Sequence, residues 1–155
     1  MTLNEFKLDE TNHFIAMEYY YLIANRIYLI LILEDQLIGI KANGLISAPN
    51  EFSFLFNEVS EDLSNPNSYL NPKYIDKVKN LNLVDGSILK NNKENFIIKK
   101  SDIKSANYNP YKKFGMGPYP HDGRVTIKTI SNEKREFIIL GNQSGKKISE
   151  LITQK

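Results

Sequence analysis

The most informative segment of the chain reads Gly123-Arg-Val-Thr-Ile-Lys-Thr-Ile-Ser-Asn-Glu-Lys-Arg-Glu-Phe-Ile-Ile-Leu140. Val125 and Ile127 fall on one side of an extended backbone, whereas the residues between and beside them are polar. Because successive side chains of a strand point to opposite faces, this alternation predicts a strand with one buried face. Residues 131–134 are polar and predict a turn, after which residues 135–140 predict the returning strand. The segment therefore indicates an antiparallel hairpin.

Other short strands are predicted on the N-terminal side of this hairpin. Glu34-Asp35-Gln36 and Asn43-Gly44 have the residue types of turns, and Ser101-Asp102-Ile103 interrupts a later stretch of strand. Residues 91–94 predict the turn of a second hairpin. The predicted strands are residues 26–33, 37–43, 87–90 and 95–100, and a further strand follows Ile103 and runs to about residue 108.

Residues 12–24 fit two structures. Phe14, Met17 and Tyr21 have helical spacing, and Asn12 can cap a helix, whereas three consecutive tyrosines at 19–21 favour a strand. The spacing predicts a helix here, with a strand as the alternative.

Helices are indicated more directly at two other places. Asn71-Pro72 predicts a helix start, with Asn as the cap and Pro at the first helical position, and Tyr74, Ile75, Val78 and Leu81 would share one face. Ser144 can cap a last helix whose inner side carries Ile148, Leu151 and Ile152. Residues 60–71 are rich in turn formers and predict a surface connection.

These elements predict a mainly β (α+β) fold in one domain over residues 1–155. About five strands would follow an insertion that contains a helix, at about residues 44–85. Short antiparallel strands need closure or a second layer to protect their edges. A bent antiparallel sheet or small barrel, closed by the C-terminal helix, meets that need.

The amino-acid composition excludes several kinds of catalytic and metal site. The 155 residues contain no cysteine, so a disulfide, a thiolate metal site and a cysteine nucleophile are excluded. The two histidines, His13 and His121, are far apart in sequence, and we expect no metal and no cofactor. The start is acidic and the apolar run at 27–33 is too short for a membrane-spanning helix. We therefore expect a cytoplasmic protein without a signal peptide or transmembrane segment.

Charge is distributed unevenly along the chain. Residues 1–75 hold four Lys/Arg and ten Asp/Glu, a net charge of −6, whereas residues 76–155 hold 16 and eight, a net charge of +8. A basic half favours an anionic partner such as a phosphate, a nucleic acid or a lipid headgroup. The alternative is that the two halves fold against each other and neutralise one another.

The C-terminal part resembles bacterial pleckstrin-homology-like domains. The resemblance is carried by Asn95-Phe-Ile-Ile-Lys-Lys-Ser-Asp-Ile103, the 123–140 hairpin and the helix from Ser144, and it covers about residues 86–153. It implies a strand, a kink, a two-stranded meander and a terminal helix, in a domain that binds peptides, proteins or lipids. Members that bind phosphoinositides use basic residues in the first hairpin loop. That loop is Glu34-Asp35-Gln36 in this chain, so lipid binding is not implied at that position.

The segment 108–124 has the most unusual composition. Aromatic side chains can stack on flat ligands, Lys and Arg can bind phosphates, and interleaved Gly and Pro restrict the backbone, which lowers the entropy cost of binding. An alternative is a long hairpin loop whose aromatic rings fold back on the barrel rim. The predicted ligand-binding residues are Tyr108, Tyr111, Lys112, Lys113, Phe114, Tyr119, His121 and Arg124.

Catalytic signals are weak. His121-Asp122 has the residue types of a general base and its orienting acid, but adjacent loop residues rarely point at each other, and Asp122-Gly123 also fits a turn. Residues 141–147 evoke a phosphate-binding loop, yet three rather than four residues separate the glycines, and Lys147 replaces the hydroxyl that would bind magnesium. A helix cap is the better interpretation of that segment.

The sequence therefore favours a non-catalytic binding or scaffolding module whose ligand is a protein or peptide partner. One alternative is a small hydrolase or transferase that acts on a phosphorylated substrate through His121, Asp122, Lys112 and Arg124. Another is binding of nucleic acid or anionic lipid by the basic C-terminal half. The sequence predicts no oligomeric state.

Overall fold

The structure is a computed structural model and describes residues 1–21, 24–47 and 62–154. Seven strands lie within these residues: β1 (His13–Tyr21), β2 (Ala24–Ile32), β3 (Gln36–Ser47), β4 (Phe96–Lys99), β5 (Ile103–Asn109), β6 (His121–Thr129) and β7 (Lys134–Leu140). The α-helices of the same ranges are α1 (Pro72–Asp76), α2 (Ser87–Asn91) and α3 (Gly145–Thr153), and 3-10 turns occupy Pro66–Tyr69 and Lys100–Asp102.

The strands form one antiparallel sheet in the order β4-β3-β2-β1-β7-β6-β5. The sheet curls into a half-barrel, and α3 packs against β5 and β6. The predicted fold class, a mainly β protein with a bent antiparallel sheet and a C-terminal helix, is confirmed. β1 joins the two halves of the sheet, because it pairs with β2 on one side and β7 on the other.

Each face of the sheet has its own apolar core. The inner face, which α3 covers, includes Phe14, Phe137 and Ile148. The outer face of β1–β3 is covered by the chain start, by the insertion and by the β5–β6 loop, which contribute buried residues such as Leu3, Tyr69 and Met116.

The helix predicted over residues 12–24 is wrong where the structure describes the chain, because β1 occupies His13–Tyr21 and β2 begins at Ala24, while residues 22 and 23 lie outside the described residues. Phe14 and Ala16 belong to the inner core, whereas Ile15 and Met17 belong to the outer core. A strand buried on both faces has a continuous apolar run rather than a period of two. Helical spacing therefore arises in this run by coincidence.

The turn predicted at Asn43-Gly44 is also wrong, because both residues lie inside the twelve-residue strand β3. The Asn43 side chain is buried, donates from Nδ2 to the Tyr69 carbonyl oxygen at 2.9 Å, and accepts from the Gly44 N–H at 2.8 Å. This asparagine ties the insertion to the sheet, a role that local turn preferences do not describe.

Residues 87–90 form α2 rather than a strand, so four strands rather than about five follow the insertion. Asp85 accepts hydrogen bonds from the Ser87 N–H and hydroxyl and fixes the chain just before the helix. Asn95 then donates from Nδ2 to the Ile88 carbonyl oxygen at 2.9 Å. These local side-chain bonds compete with strand pairing.

The predicted caps are confirmed. Asn71 accepts from the Lys73 N–H with Pro72 in the first turn, and Ser144 accepts from the Lys147 N–H. The predicted surface connection lies partly outside the described residues, at 60 and 61. In its described part Tyr69 is fully buried, so the expectation of a surface position is wrong at that residue.

Candidate functional site

The loop between β5 and β6, residues 110–120, is fixed to the sheet at its centre. Asn25 in β2 donates from Nδ2 to the Gly115 carbonyl oxygen at 3.0 Å, and Tyr19 in β1 donates its hydroxyl to the Phe114 carbonyl oxygen at 2.5 Å. Met116 is fully buried in the outer core. The backbone at the loop centre is therefore held by contacts to two strands.

Both ends of the loop are also fixed. The Tyr111 N–H donates to Asn109 Oδ1 at 2.9 Å, and Arg124 Nε donates to the Tyr111 carbonyl oxygen at 3.3 Å. At the other end the Gly141 N–H donates to the Pro120 carbonyl oxygen at 2.8 Å. The loop thus presents its side chains from a constrained backbone.

Two aromatic rings of the loop point into solvent. Tyr111 is 75% exposed and Phe114 is 82% exposed. Tyr119, in contrast, packs edge to face on Tyr69 with ring centroids 5.9 Å apart, and the Tyr108 hydroxyl donates to Asp122. The structure therefore divides the four Tyr and Phe residues among the predicted ligand-binding residues: Tyr111 and Phe114 face outward, whereas Tyr108 and Tyr119 contact other parts of the protein.

Three basic residues, one in the loop, one in β6 and one in β7, surround one carboxylate, that of Glu136 in β7. Lys113 Nζ lies 2.6 Å from Oε1, and Arg124 Nη1 and Lys134 Nζ lie 3.3 and 3.8 Å from Oε2. Burial raises the pKa of Glu136, but the hydrogen bond from Lys113 and the three positive charges outweigh it, so the pKa lies below its ordinary value. Lys113 also lies over the Tyr19 ring, 4.5 Å from its centroid.

His121 and Asp122 lie in β6 rather than in a loop, which corrects the predicted strand start at residue 124. Asp122 accepts from the Tyr108 hydroxyl and from the Gly145 N–H, both at 2.8 Å. Both carboxylate oxygens are therefore occupied in joining β5, β6 and the start of α3. His121 Nδ1 accepts from the Gly123 N–H at 2.9 Å.

His121 is expected to make the protein less stable as the pH falls below about 6.5, the ordinary pKa of histidine. Burial lowers the pKa of His121, the Lys112 charge lowers it further, and Asp122 opposes both only in part. Because the unfolded chain then binds the proton more readily than the folded one, the free energy of unfolding falls with falling pH. In the folded state Nδ1 must stay unprotonated to accept from Gly123.

The measurement is urea denaturation at about pH 5.5 and about pH 7.5. His121→Asn keeps an acceptor near Gly123 at every pH, so we expect a smaller stability difference between the two pH values than in the native chain. Equal differences in the two proteins would contradict this role.

A half-buried charge network on the inner face was missed by sequence reasoning. Arg135 binds Glu18 through two hydrogen bonds of 2.9 and 3.0 Å, and its guanidinium lies 3.8 Å from the centroid of the Phe96 ring. Burial raises the pKa of Glu18 despite the nearby arginine charges. Glu94 pairs with Arg26 at 3.1 Å and also with Lys41. The sequence offers little indication of these pairs, because several of the charged residues are single interruptions of apolar strands.

A polar cleft of about 430 Å³ lies beside the start of α3. The Gln143 side chain at its edge bonds the Ile15 backbone in both directions, at 2.6 and 2.9 Å. Lys147 in the same cleft lies 3.6 Å from Glu10. Residues 141–147 therefore cap α3 and extend the pairing with β1. The helix cap is the interpretation that the sequence favoured over a phosphate-binding loop.

Comparison with known proteins adds no family. No family model, curated protein or solved structure matches the chain. In the described ranges no helix has both the length and the apolar character needed to span a membrane. The same residues contain no cluster of three His, Asp or Glu side chains arranged to hold a metal ion.

Proposed function

We propose that the chain is a non-catalytic binding module of the pleckstrin-homology-like kind, and that it binds a protein or peptide partner through Tyr111 and Phe114. The observation that carries the proposal is the exposure of both rings, 75% and 82%, on a loop with a fixed backbone. Exposure of large aromatic rings to water is unfavourable in free energy for a monomer, whereas their burial in an interface is favourable.

The anchoring of the loop supports binding in particular. A partner that buries Tyr111 and Phe114 has to order only the two side chains, because the contacts of Asn25 and Tyr19 already order the backbone. Aromatic residues presented in this way are the commonest centres of binding energy in protein interfaces.

The architecture supports the pleckstrin-homology-like part of the proposal. The resemblance implies a strand, a kink, a two-stranded meander and a terminal helix. β4, the 3-10 turn at Lys100–Asp102, the β6–β7 hairpin and α3 correspond to these elements in order.

The contacts of His121 and Asp122 support a non-catalytic role. A hydrolase or transferase would need this pair to face a substrate, whereas Asp122 binds Tyr108 and Gly145 inside the protein. The binding proposal therefore needs fewer rearrangements than the enzymatic alternative.

Replacement of both rings, Tyr111→Ala with Phe114→Ala, is expected to remove the partner without unfolding the protein. A central interface aromatic contributes about 2 kcal/mol or more, so affinity should fall by more than about thirtyfold. Because both side chains are exposed, the free energy of unfolding should change by less than about 0.5 kcal/mol. Quantitative pull-down from cell lysate, followed by calorimetry with the captured partner, measures this.

The matched control is Val84→Ala with Leu89→Ala. These side chains are also apolar and exposed, at 57% and 43%, but they lie in and near α2 rather than in the loop. The control should capture the same proteins as the native chain. If the Tyr111/Phe114 variant also captures them all, the loop is not the contact surface.

A further inference from the structure

The outer face of β5, β6 and β7 carries rows of polar residues. Ser105, Lys128 and Lys134 stand opposite one another in neighbouring strands, and Thr126 stands opposite Glu136 in the next row. Residues directly opposite in antiparallel strands share a face. This face is the side away from α3, whose apolar residues pack on the inner core.

Positive charge on this face exceeds negative charge. Arg124, Lys128 and Lys134 project from the strands and Lys113 reaches in from the loop, whereas Glu136 is the carboxylate among the described residues of these rows. Three positive charges are therefore not neutralised within the face. Lys128 is exposed, and the side chains of Lys113 and Lys134 are 47% and 54% exposed, so these charges are open to a partner.

The exposed rings border the same face. Arg124 donates to the Tyr111 backbone, and Phe114 directly follows Lys113, whose ammonium group binds Glu136. One end of the surface is therefore aromatic, and the rest is basic.

We propose that this basic face binds an acidic, carboxylate-rich segment of the protein partner, with an apolar residue of that segment against Tyr111 and Phe114. The inference rests on the proposed function and adds the chemistry of the partner. Glu136 shows that a carboxylate fits among Lys113, Arg124 and Lys134. An arginine has five donors and a lysine three, so these side chains retain donors for an incoming carboxylate.

A peptide fits this surface better than a single-stranded nucleic acid does. Single strands are bound by aromatic rings interleaved with cations along the path of the backbone. On this face the rings lie at one end, and the described outer residues of β5–β7 are not aromatic.

The test uses three fluorescein-labelled probes, each of about twelve units. The first is a peptide of glutamates with two leucines, the second has glutamine in place of every glutamate, and the third is oligouridylate. Fluorescence anisotropy measures their binding to the native chain at low and at physiological salt. We expect the glutamate peptide to bind most tightly, and its affinity to fall as salt rises.

A charge reversal locates the site. Lys128→Glu with Lys134→Glu should weaken binding of the glutamate peptide by at least about tenfold, because about four units of charge change on the face. The matched control, Lys73→Glu with Lys90→Glu, makes the same change at exposed residues of α1 and α2 and should alter binding by less than about threefold.

Any of three probe results would overturn the inference: equal binding of the glutamate and glutamine peptides, no binding of the glutamate peptide at low salt, or tighter binding of oligouridylate. Equal effects of the two charge reversals would also overturn it, since the attraction would then be non-specific. The proposed function is judged separately. If lysate partners are lost in the Tyr111/Phe114 variant while the glutamate peptide fails to bind, the proposed binding module is supported and the acidic chemistry of its partner is contradicted.

Discussion

Tyr69→Ala is expected to lower the free energy of unfolding by about 3–5 kcal/mol, because it empties a large volume in the outer core. Tyr69 is fully buried and contacts the Tyr119 ring edge to face. Its hydroxyl donates to the Leu63 carbonyl oxygen at 2.9 Å, and its own carbonyl oxygen accepts from Asn43. The Tyr69 side chain thus joins the insertion to the β5–β6 loop, and its backbone joins the insertion to β3.

Urea denaturation of native and variant proteins measures the loss. The control is Tyr69→Phe, which keeps the ring and removes only the hydroxyl, and should cost about 1 kcal/mol. Burial also raises the pKa of Tyr69 to about 12, so the hydroxyl stays a donor across the working pH range. A loss for Tyr69→Ala no larger than that for Tyr69→Phe would mean that the insertion does not stabilise the sheet.

Gly123→Ala is expected to cost about 3–5 kcal/mol, from backbone strain and steric overlap together. Gly123 has a φ of 65°, in the left-handed region that favours glycine. An added Cβ would overlap the Asn109 carbonyl oxygen and lie 2.6 Å from the Pro110 Cα. Both neighbours are backbone atoms, so neither can rotate away.

Gly86→Ala separates the two causes. Gly86 has a similar φ of 82°, but no heavy atom lies within 4 Å of the position that an added Cβ would take. It should therefore cost only about 1 kcal/mol, the strain alone. Thermal and urea unfolding of both variants compare them, and equal losses would contradict the close approach at Gly123. Since Gly123 follows the β5–β6 loop, partner binding through Tyr111 should also weaken in its variant.

The local patterns were reliable where one face of an element is buried. The alternation around Val125 predicted β6, because Val125 and Ile127 are buried between polar residues of the outer face. The turn residues at 131–134 and the apolar run from Phe137 predicted β7, although Ile138 and Leu140 are also buried, in the outer core. Asn71 and Ser144 predicted helix starts, since a cap acts on an N–H only two or three residues away.

The same patterns failed where burial came from elsewhere in the chain. β1 is apolar on both faces because α3 covers one and the insertion the other, so its period was hidden. Asn43 fitted a turn by residue type, yet a hydrogen bond to Tyr69, 26 positions away, holds it in a strand. At Ile88 the bond from Asn95 helps to form a helix where apolar residues suggested a strand.

The sequence by itself determined the fold class, the caps and the residue types of the candidate surface, because periodicity and capping act over a few neighbouring residues. Only the tertiary structure decided which rings of the 108–124 segment face solvent. Tyr19 and Asn25 hold the loop from 95 and 90 positions away, which leaves Tyr111 and Phe114 exposed. Such contacts depend on the register of the whole sheet, and that register is set by packing on both of its faces.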